Sequence, residues 1–465
     1  MPANIPRYAD AKTAARLAAR LGDEFAIVQN PGYVFPPYEA YPLAPPRKKL
    51  DGGMAGAVMD MDGTTTTTEP LCIHSLETMV RRITGRPTRN DWPGLDQKRD
   101  YPHIIGNSTT KHVEYLIRTY APDIVPFELR RAYISAAAWT LGHAADEGRR
   151  NEVRASMRAL GAEDLLDDLR FAALQKPPTH EGAEEQDALN HIAESHMDRW
   201  DIEDFDAIVR AAIDIYYQRY HEILGGIEAG RGEALAREVL GGGQHLIEPM
   251  PGIGVFLALV KGWLGEDVDN LGAELAAPLI ESGRFSEADT AQLRKDLRRL
   301  GAYFERMPCK TALVTSSIAY EARIVLNEVF RLLQQRAAAW DLPEHRIESV
   351  TKVFADPYSF YDAFITASDS SEIRLKPHRD LYCLALHRMG VPPERFGQVA
   401  GLEDSESGTI AIRAAGIGLC CALPFAMTRD HPFDAATHKC IGGIPEVIVK
   451  EKCFLPPEAW QSPLS

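Results

Sequence analysis

The run Ala57-Val58-Met59-Asp60-Met61-Asp62-Gly63-Thr64 constrains this chain more than any other segment. A short apolar strand ends in a carboxylate, a second carboxylate follows two residues on, and a glycine permits an immediate turn. At that spacing Asp60 points out of the end of the strand. The turning backbone can carry Asp62 to the other side of a bound group. Ligands of open parallel sheets bind at the C-terminal ends of the strands, so a strand that stops in this way is a candidate site edge. The Asp-x-Asp-Gly pattern alone is also an ordinary solvated turn, and its meaning depends on what the rest of the chain supplies.

Three downstream segments supply it. Residues 311–317 read as a second strand ending in the hydroxyls of Thr315, Ser316 and Ser317. Residues 374–380 place Lys376 before Pro377, which suits the first position of a helix continuing over residues 381–386. Residues 399–408 read as a strand that closes on the paired acids Glu403 and Asp404. From Thr311 onward strand and helix patterns alternate, which predicts a parallel sheet with helices on both faces.

The chain between these motifs is helical in pattern. Over residues 71–246 nothing alternates as a strand, and Phe205, Ile208, Val209, Ala212, Ile213, Tyr216 and Tyr220 trace an apolar helical stripe with Asp201 or Asp204 as its start. The spacing therefore predicts an N-terminal extension over 1–52, a core built from 53–70 and 304–465, an inserted helical domain over 71–250, and a helical insert returning to the core over 251–303. Within the extension, residues 11–21 read as a helix and the proline-rich residues 31–46 as an extended strap. The threonine run 64–68 suits an extended flap better than a helix.

The four motifs, in this order, resemble the haloacid dehalogenase-like (HAD) hydrolase superfamily, and within it the phosphatases and phosphomutases related to beta-phosphoglucomutase. Residues 360–369, just upstream of Lys376, are similar to the same subgroup. The resemblance implies an α/β fold, a Rossmann-like parallel sheet core with a large inserted all-helical cap. It implies Asp60 as nucleophile, Asp62 as general acid and base, and Thr315 and Lys376 as partners of the phosphoryl group. Mg2+ would be held by Asp60, the backbone carbonyl of Asp62 and Asp404, with Glu403 and Ser316 in support. Such a set is chemically coherent, because an anionic nucleophile approaches a phosphate monoester only when cations offset the repulsion. Residues 104–112 resemble the subgroup's substrate-specificity loop, making Gly106, Ser108 and Lys111 candidate substrate contacts. Two departures stand out: Cys72 where many relatives carry a histidine, and Thr109 where the sugar phosphomutase carries an arginine. Both favour a Mg2+-dependent phosphohydrolase of a small phosphomonoester over the alternative, a sugar phosphomutase.

Composition narrows the partners. A chain of 465 residues exceeds a single compact core. Its formal charge of −15 disfavours nucleic acid and anionic membrane, both of which need a basic surface. The expected partner is a small phosphorylated metabolite, with a homo-oligomer left open by the apolar helices of the insert. Seven cysteines without regular spacing, and a polar, proline-broken N-terminus, suggest free thiols in a cytoplasmic protein.

Overall fold

The computed structural model describes residues 8–30, 34–50, 52–88, 90–104, 109–176, 183–195, 200, 202–241, 245–370, 374–426, 428–455 and 460. The chain divides into two compact units: Met1–Thr67 with Glu248–Ser465, and Thr68–Ile247. No helix among the described residues is long and apolar enough to cross a membrane.

The first unit is an α/β core. Its sheet contains β1 (Gly56–Asp60), β2 (Lys310–Val314), β3 (Ala363–Ile365), β4 (Val399–Glu403), β5 (Leu419–Ala422) and β6 (His438–Lys439). The spatial order is β6-β5-β4-β1-β2-β3, with every neighbouring pair parallel. Every residue of β1, β4 and β5 is buried. Because successive side chains face opposite sides, both faces of these strands are covered. One face packs Val58, Val314 and Ile365 against Leu381 and Ala385 of helix Asp380–Arg388 and Ile412 of helix Glu406–Ala414. Register does the rest: Asp60 lies opposite Val314, and Met59 opposite Leu402. Asp60, Thr315 and the Glu403-Asp404 pair therefore emerge together at the C-terminal edge of the central strands.

The chain leaves and re-enters this unit through a small ribbon. Thr66–Thr67 pairs antiparallel with Glu248–Pro249, and the Thr66 hydroxyl donates to the Glu248 carbonyl at 2.9 Å. The threonine run is thus extended, as its β-branched side chains favour. Residues 251–303 contain helix Ile253–Val260, a 3-10 segment Gly265–Leu271, and helices Gly272–Glu281 and Thr290–Arg306, all within the first unit.

Two expectations for the first unit are corrected. Pro377 does not open the helix after Lys376. The His378 N–H donates to the Leu375 carbonyl at 3.0 Å, closing a turn around the Lys376-Pro377 pair, and the helix begins at Asp380. The N-terminal segment is more than a helix and a strap. Helix Ala11–Ala18 is capped by the Asp10 carboxylate, which accepts from the Thr13 N–H at 2.7 Å. Phe25–Gln29 then pairs antiparallel with Tyr38–Pro42. This hairpin turns Ala26 and Val28 inward and leaves Phe25 and Ile27 exposed. The larger apolar side chains point outward, the reverse of the pattern that marks a half-buried strand.

Every regular element among the described residues of the second unit is a helix. Four of its helices are α1 (Glu69–Ile83), α2 (Thr109–Tyr120), α3 (Pro126–His143) and α4 (Phe205–Glu228). Asp204 caps α4, its carboxylate accepting from the Ala207 N–H at 2.7 Å; Asp201 lies outside the described residues. Val209, Ala212, Tyr216 and Tyr220 are buried as the stripe predicts. So are Ala211, Asp214, Ile215 and Gln218 on other faces, because α1, α2 and α3 all pack around α4. It is a central helix rather than a one-sided surface helix.

Two glycines give opposite expectations for stability. A Cβ at Gly301, in helix Thr290–Arg306, would stand 1.8 Å from the Gly265 carbonyl oxygen, which is backbone and cannot rotate away. Gly301→Ala should cost about 1–3 kcal/mol. Gly225, in α4, has nothing within 4 Å of where an added methyl would sit, so Gly225→Ala should stabilise by about 0.5–1 kcal/mol. Urea unfolding of both variants checks the pair; shifts of the same sign would contradict this packing.

Candidate active site

The Asp60 strand ends in a loop that wraps back on itself. The Thr65 and Thr66 N–H groups both donate to the Met61 carbonyl at 2.9 Å, and the Thr65 hydroxyl donates to the Asp60 carbonyl at 2.7 Å. Gly63 is required twice. Its φ of +86° is the left-handed region, and a Cβ there would lie 2.5 Å from Asp404 Oδ2. The loop thereby brings its backbone against the Asp404 carboxylate, which also receives the Thr64 hydroxyl at 3.4 Å.

Lys376 joins two strand ends. Its buried Nζ donates to Asp60 Oδ1 and, at 2.7 Å, to Glu403 Oε1, and it lies 5.4 Å from the centre of the buried Tyr382 ring. Burial alone would lower the lysine's pKa, but the charges of Asp60 and Glu403 outweigh it and hold the ammonium well above its ordinary value. Burial pushes the Asp60 carboxyl well above the ordinary range; Lys376 pulls it back, and the charges of Glu403 and Asp62 push it up again. Glu403 is fixed from its other side, accepting at Oε2 from the Ser405 N–H at 2.8 Å and the Ser405 hydroxyl at 2.9 Å. The Tyr382 hydroxyl approaches Oε1 at 3.4 Å. A Cβ at Gly408 would fall 1.7 Å from that same oxygen, so glycine makes room for the carboxylate.

On the other side of Asp60, Asp62 Oδ2 accepts from the Thr315 hydroxyl at 3.2 Å and the Ser317 hydroxyl at 3.3 Å. The Ser317 N–H donates to Thr315 Oγ1 at 3.0 Å, so that hydroxyl is oriented toward Asp62. Ser316, expected in support, is exposed, and Ser317 takes the place beside Asp62. Alternation at the strand's end explains the exchange, since neighbouring residues point to opposite sides.

Of the other sequence candidates, Gly106 and Ser108 lie outside the described residues. Lys111 is exposed on α2, and His112 beside it is buried in the helical unit. Cys72 accepts from the Tyr216 hydroxyl at 3.6 Å and Thr109 from the Tyr217 hydroxyl at 3.4 Å. Both positions are thus occupied by neutral groups meeting neutral partners.

Sequence reasoning missed Tyr382 and Gly408, which lie in helices where an apolar or small residue reads as packing. It also missed a brace on the lysine turn. The Tyr41 hydroxyl, from the N-terminal hairpin, meets His378 Nδ1 at 2.9 Å, and Glu39 accepts from the same hydroxyl. Burial and the Glu39 carboxylate push the Tyr41 phenol up to about 12, so it stays protonated. No local signal marks a contact between residues so distant in sequence.

Asp60, Glu403 and Asp404 each offer an oxygen within 4.8 Å of the others. This is a hard, oxygen-only donor set, and its three carboxyl groups share one buried ammonium, Lys376. Both properties fit a divalent cation such as Mg2+. Glu403 is bonded at both oxygens, by Lys376 and Tyr382 at Oε1 and by Ser405 at Oε2, whereas Lys376 meets Asp60 through Oδ1, so Asp60 and Asp404 are the better placed ligands.

No family model matches this sequence, and no curated protein matches it. Solved structures similar to it include CbbY from Rhodobacter sphaeroides in complex with phosphate, at 14% identity and a TM-score of 0.36, over 82% of this chain and 92% of that one. A mutant of CbbY in complex with xylulose-(1,5)bisphosphate matches at 14% identity and a TM-score of 0.33, over 83% of this chain and 92% of that one. A hydrolase from Pseudomonas syringae matches at 11% identity and a TM-score of 0.29, over 82% and 88%. At scores this low the likeness fixes no chemistry; that has to come from the residues themselves.

The cluster predicts a linked effect of metal and pH on stability. In chelator, the raised pKa of Asp60 means that the folded state binds its proton more tightly than the unfolded chain. This group's stabilisation is therefore present in acid and lost as pH rises from about 4 through its folded value. Mg2+ at a hundredfold excess over its Kd should add about 2.7 kcal/mol near neutral pH. Asp404→Asn should remove most of that gain. Thermal unfolding in Mg2+ and in EDTA reads both; identical curves for the wild type would contradict a cation site here.

Proposed function

We propose that the chain is a HAD-like, Mg2+-dependent phosphohydrolase that cleaves a small phosphomonoester through an aspartyl-phosphate on Asp60. The observation that carries this reading is the convergence at one sheet edge of Asp60, bound to buried Lys376, with Asp62 on one side and Asp404 on the other. The cation held there would supply Lewis-acid stabilisation of the phosphoryl oxygens. Lys376 contributes a fixed positive charge beside the nucleophile and offsets the repulsion between two anions. The Asp60 carboxylate attacks phosphorus in line, the bond to the leaving oxygen breaks, and Asp62 gives that oxygen its proton. Asp62 then takes a proton from the water that attacks the phosphorus. The Asp60–phosphoryl bond breaks, releasing inorganic phosphate and restoring both carboxyl groups. Thr315 and Ser317, by holding Asp62 Oδ2, set the position from which these transfers occur.

Cys72 and Thr109 are neutral and meet tyrosine hydroxyls, which supports hydrolysis over mutase chemistry, since a mutase must also hold a second phosphate with cations. The wild type should release inorganic phosphate from a phosphomonoester with no bisphosphate activator. Asp60→Asn should abolish this, and Asp62→Asn should lower kcat by about 100- to 10,000-fold. A phosphate-release assay over sugar phosphates, nucleotides and small organic phosphates measures all three. Undiminished turnover in Asp60→Asn would overturn the proposed nucleophile.

A further inference from the structure

The helical unit contains a concentration of arginines that the proposed chemistry does not use. A cavity of about 600 Å³ is lined by four arginines, Arg81 and Arg82 at the end of α1, Arg131 from α3 and Arg219 from α4. The carboxylates in that lining are Glu128 and Glu238. Glu77 and Glu222 pair with these arginines from outside the lining, so the four guanidinium groups face four carboxylates; four arginines meeting at one cavity is still an unusual arrangement in a protein of formal charge −15.

Most of these arginines have a structural partner. Arg81 pairs with Glu77 at 3.1 Å, Arg131 with Glu128 at 2.7 Å, and Arg219 with Glu222 at 3.1 Å and Glu238 at 2.8 Å. Arg82 is the exception. Its guanidinium donates to a neutral group, the side-chain carbonyl of Gln218. Burial pushes its pKa down, and the charges of Arg219 and Arg131 oppose the help it receives from Glu222. The buried Nε of Arg81 has no hydrogen-bond partner among the described residues. An arginine in the last turn of a helix can serve simply to offset the helix dipole. That role explains neither the convergence of cations from three helices nor a guanidinium that forms no ion pair among the described residues.

We propose that this cavity is a binding site for an organic phosphate carrying a second anionic group. The volume lies within the range of small-molecule sites, about 300–1,000 Å³, and exceeds what a bare phosphate fills. The guanidinium fork matches the oxygens of phosphate and carboxylate alike. Donors arriving from three helices suit a tetrahedral phosphate, whose oxygens point in several directions, better than a planar carboxylate. The second anionic group meets the guanidinium N–H donors that the phosphate leaves over.

Calorimetric titration of the full chain with 3-phosphoglycerate tests this. EDTA is included throughout, so that no cation occupies the Asp60 cluster and recruits the anion there. Saturable binding of 3-phosphoglycerate is expected, tighter than that of citrate, a carboxylate-only control. Arg82→Gln should weaken it by about tenfold or more, and so should Arg131→Gln, a more exposed position that keeps the test valid if Arg82→Gln fails to fold. Absence of saturation at millimolar ligand, or affinity unchanged in both variants, would overturn the site. Citrate binding as tightly as 3-phosphoglycerate would overturn its assignment to phosphate.

Discussion

The Lys376 ammonium, buried between the carboxylates of Asp60 and Glu403, is the contact around which the rest of the first unit is arranged. Ions taken out of water are costly unless their partners are well placed, and removing one member of such a group typically costs about 3–5 kcal/mol. The structure meets that demand in small steps. Ser405 and Tyr382 hold Glu403. Gly408 and Gly63 leave space where any side chain would strike Glu403 or Asp404. Three carboxyl groups still share one lysine, and that oxygen-only set is what makes the cluster receptive to a divalent cation.

The parallel sheet is the reason these groups meet at all. Asp60, Thr315, Lys376 and Asp404 lie far apart in the sequence, yet register places three of them at one edge of adjacent strands. Lys376 arrives on a turn instead, and a turn needs outside support. Tyr41 supplies it through His378, with the hairpin itself tied down where Arg413 donates to the Ala44 carbonyl at 2.8 Å and pairs with Glu24. The N-terminal segment thus has a mechanical link to the proposed catalytic lysine.

Local signals carried much of this into the sequence. Residues 57–60, 311–314 and 399–403 are apolar runs that stop at a polar residue, and each is a buried strand with its polar group at the end. The stripe on residues 205–220 announced a long helix, but not that Asp214 and Gln218 would also be buried, because periodicity reports one face and says nothing of how many neighbours surround a helix. The N-terminal hairpin was illegible because its large apolar residues face outward. Ser317 stood out as one of three strand-end hydroxyls, but its contact with Asp62, like that of Tyr382 with Glu403, was illegible for a different reason: only the assembled sheet brings these groups near. Pro377 misled because proline is equally at home in a turn and at a helix start.

The proposed chemistry stands or falls on covalent phosphorylation of Asp60. Rapid acid quenching of the Mg2+-loaded enzyme during turnover of a phosphomonoester it hydrolyses, followed by mass spectrometry of its peptides, observes that species directly. A phosphoryl group is expected on the peptide containing Asp60, absent from EDTA-treated enzyme and from Asp60→Asn. Efficient turnover with no phosphorylated enzyme at any quench time, or a phosphoryl group on a residue other than Asp60, would contradict it.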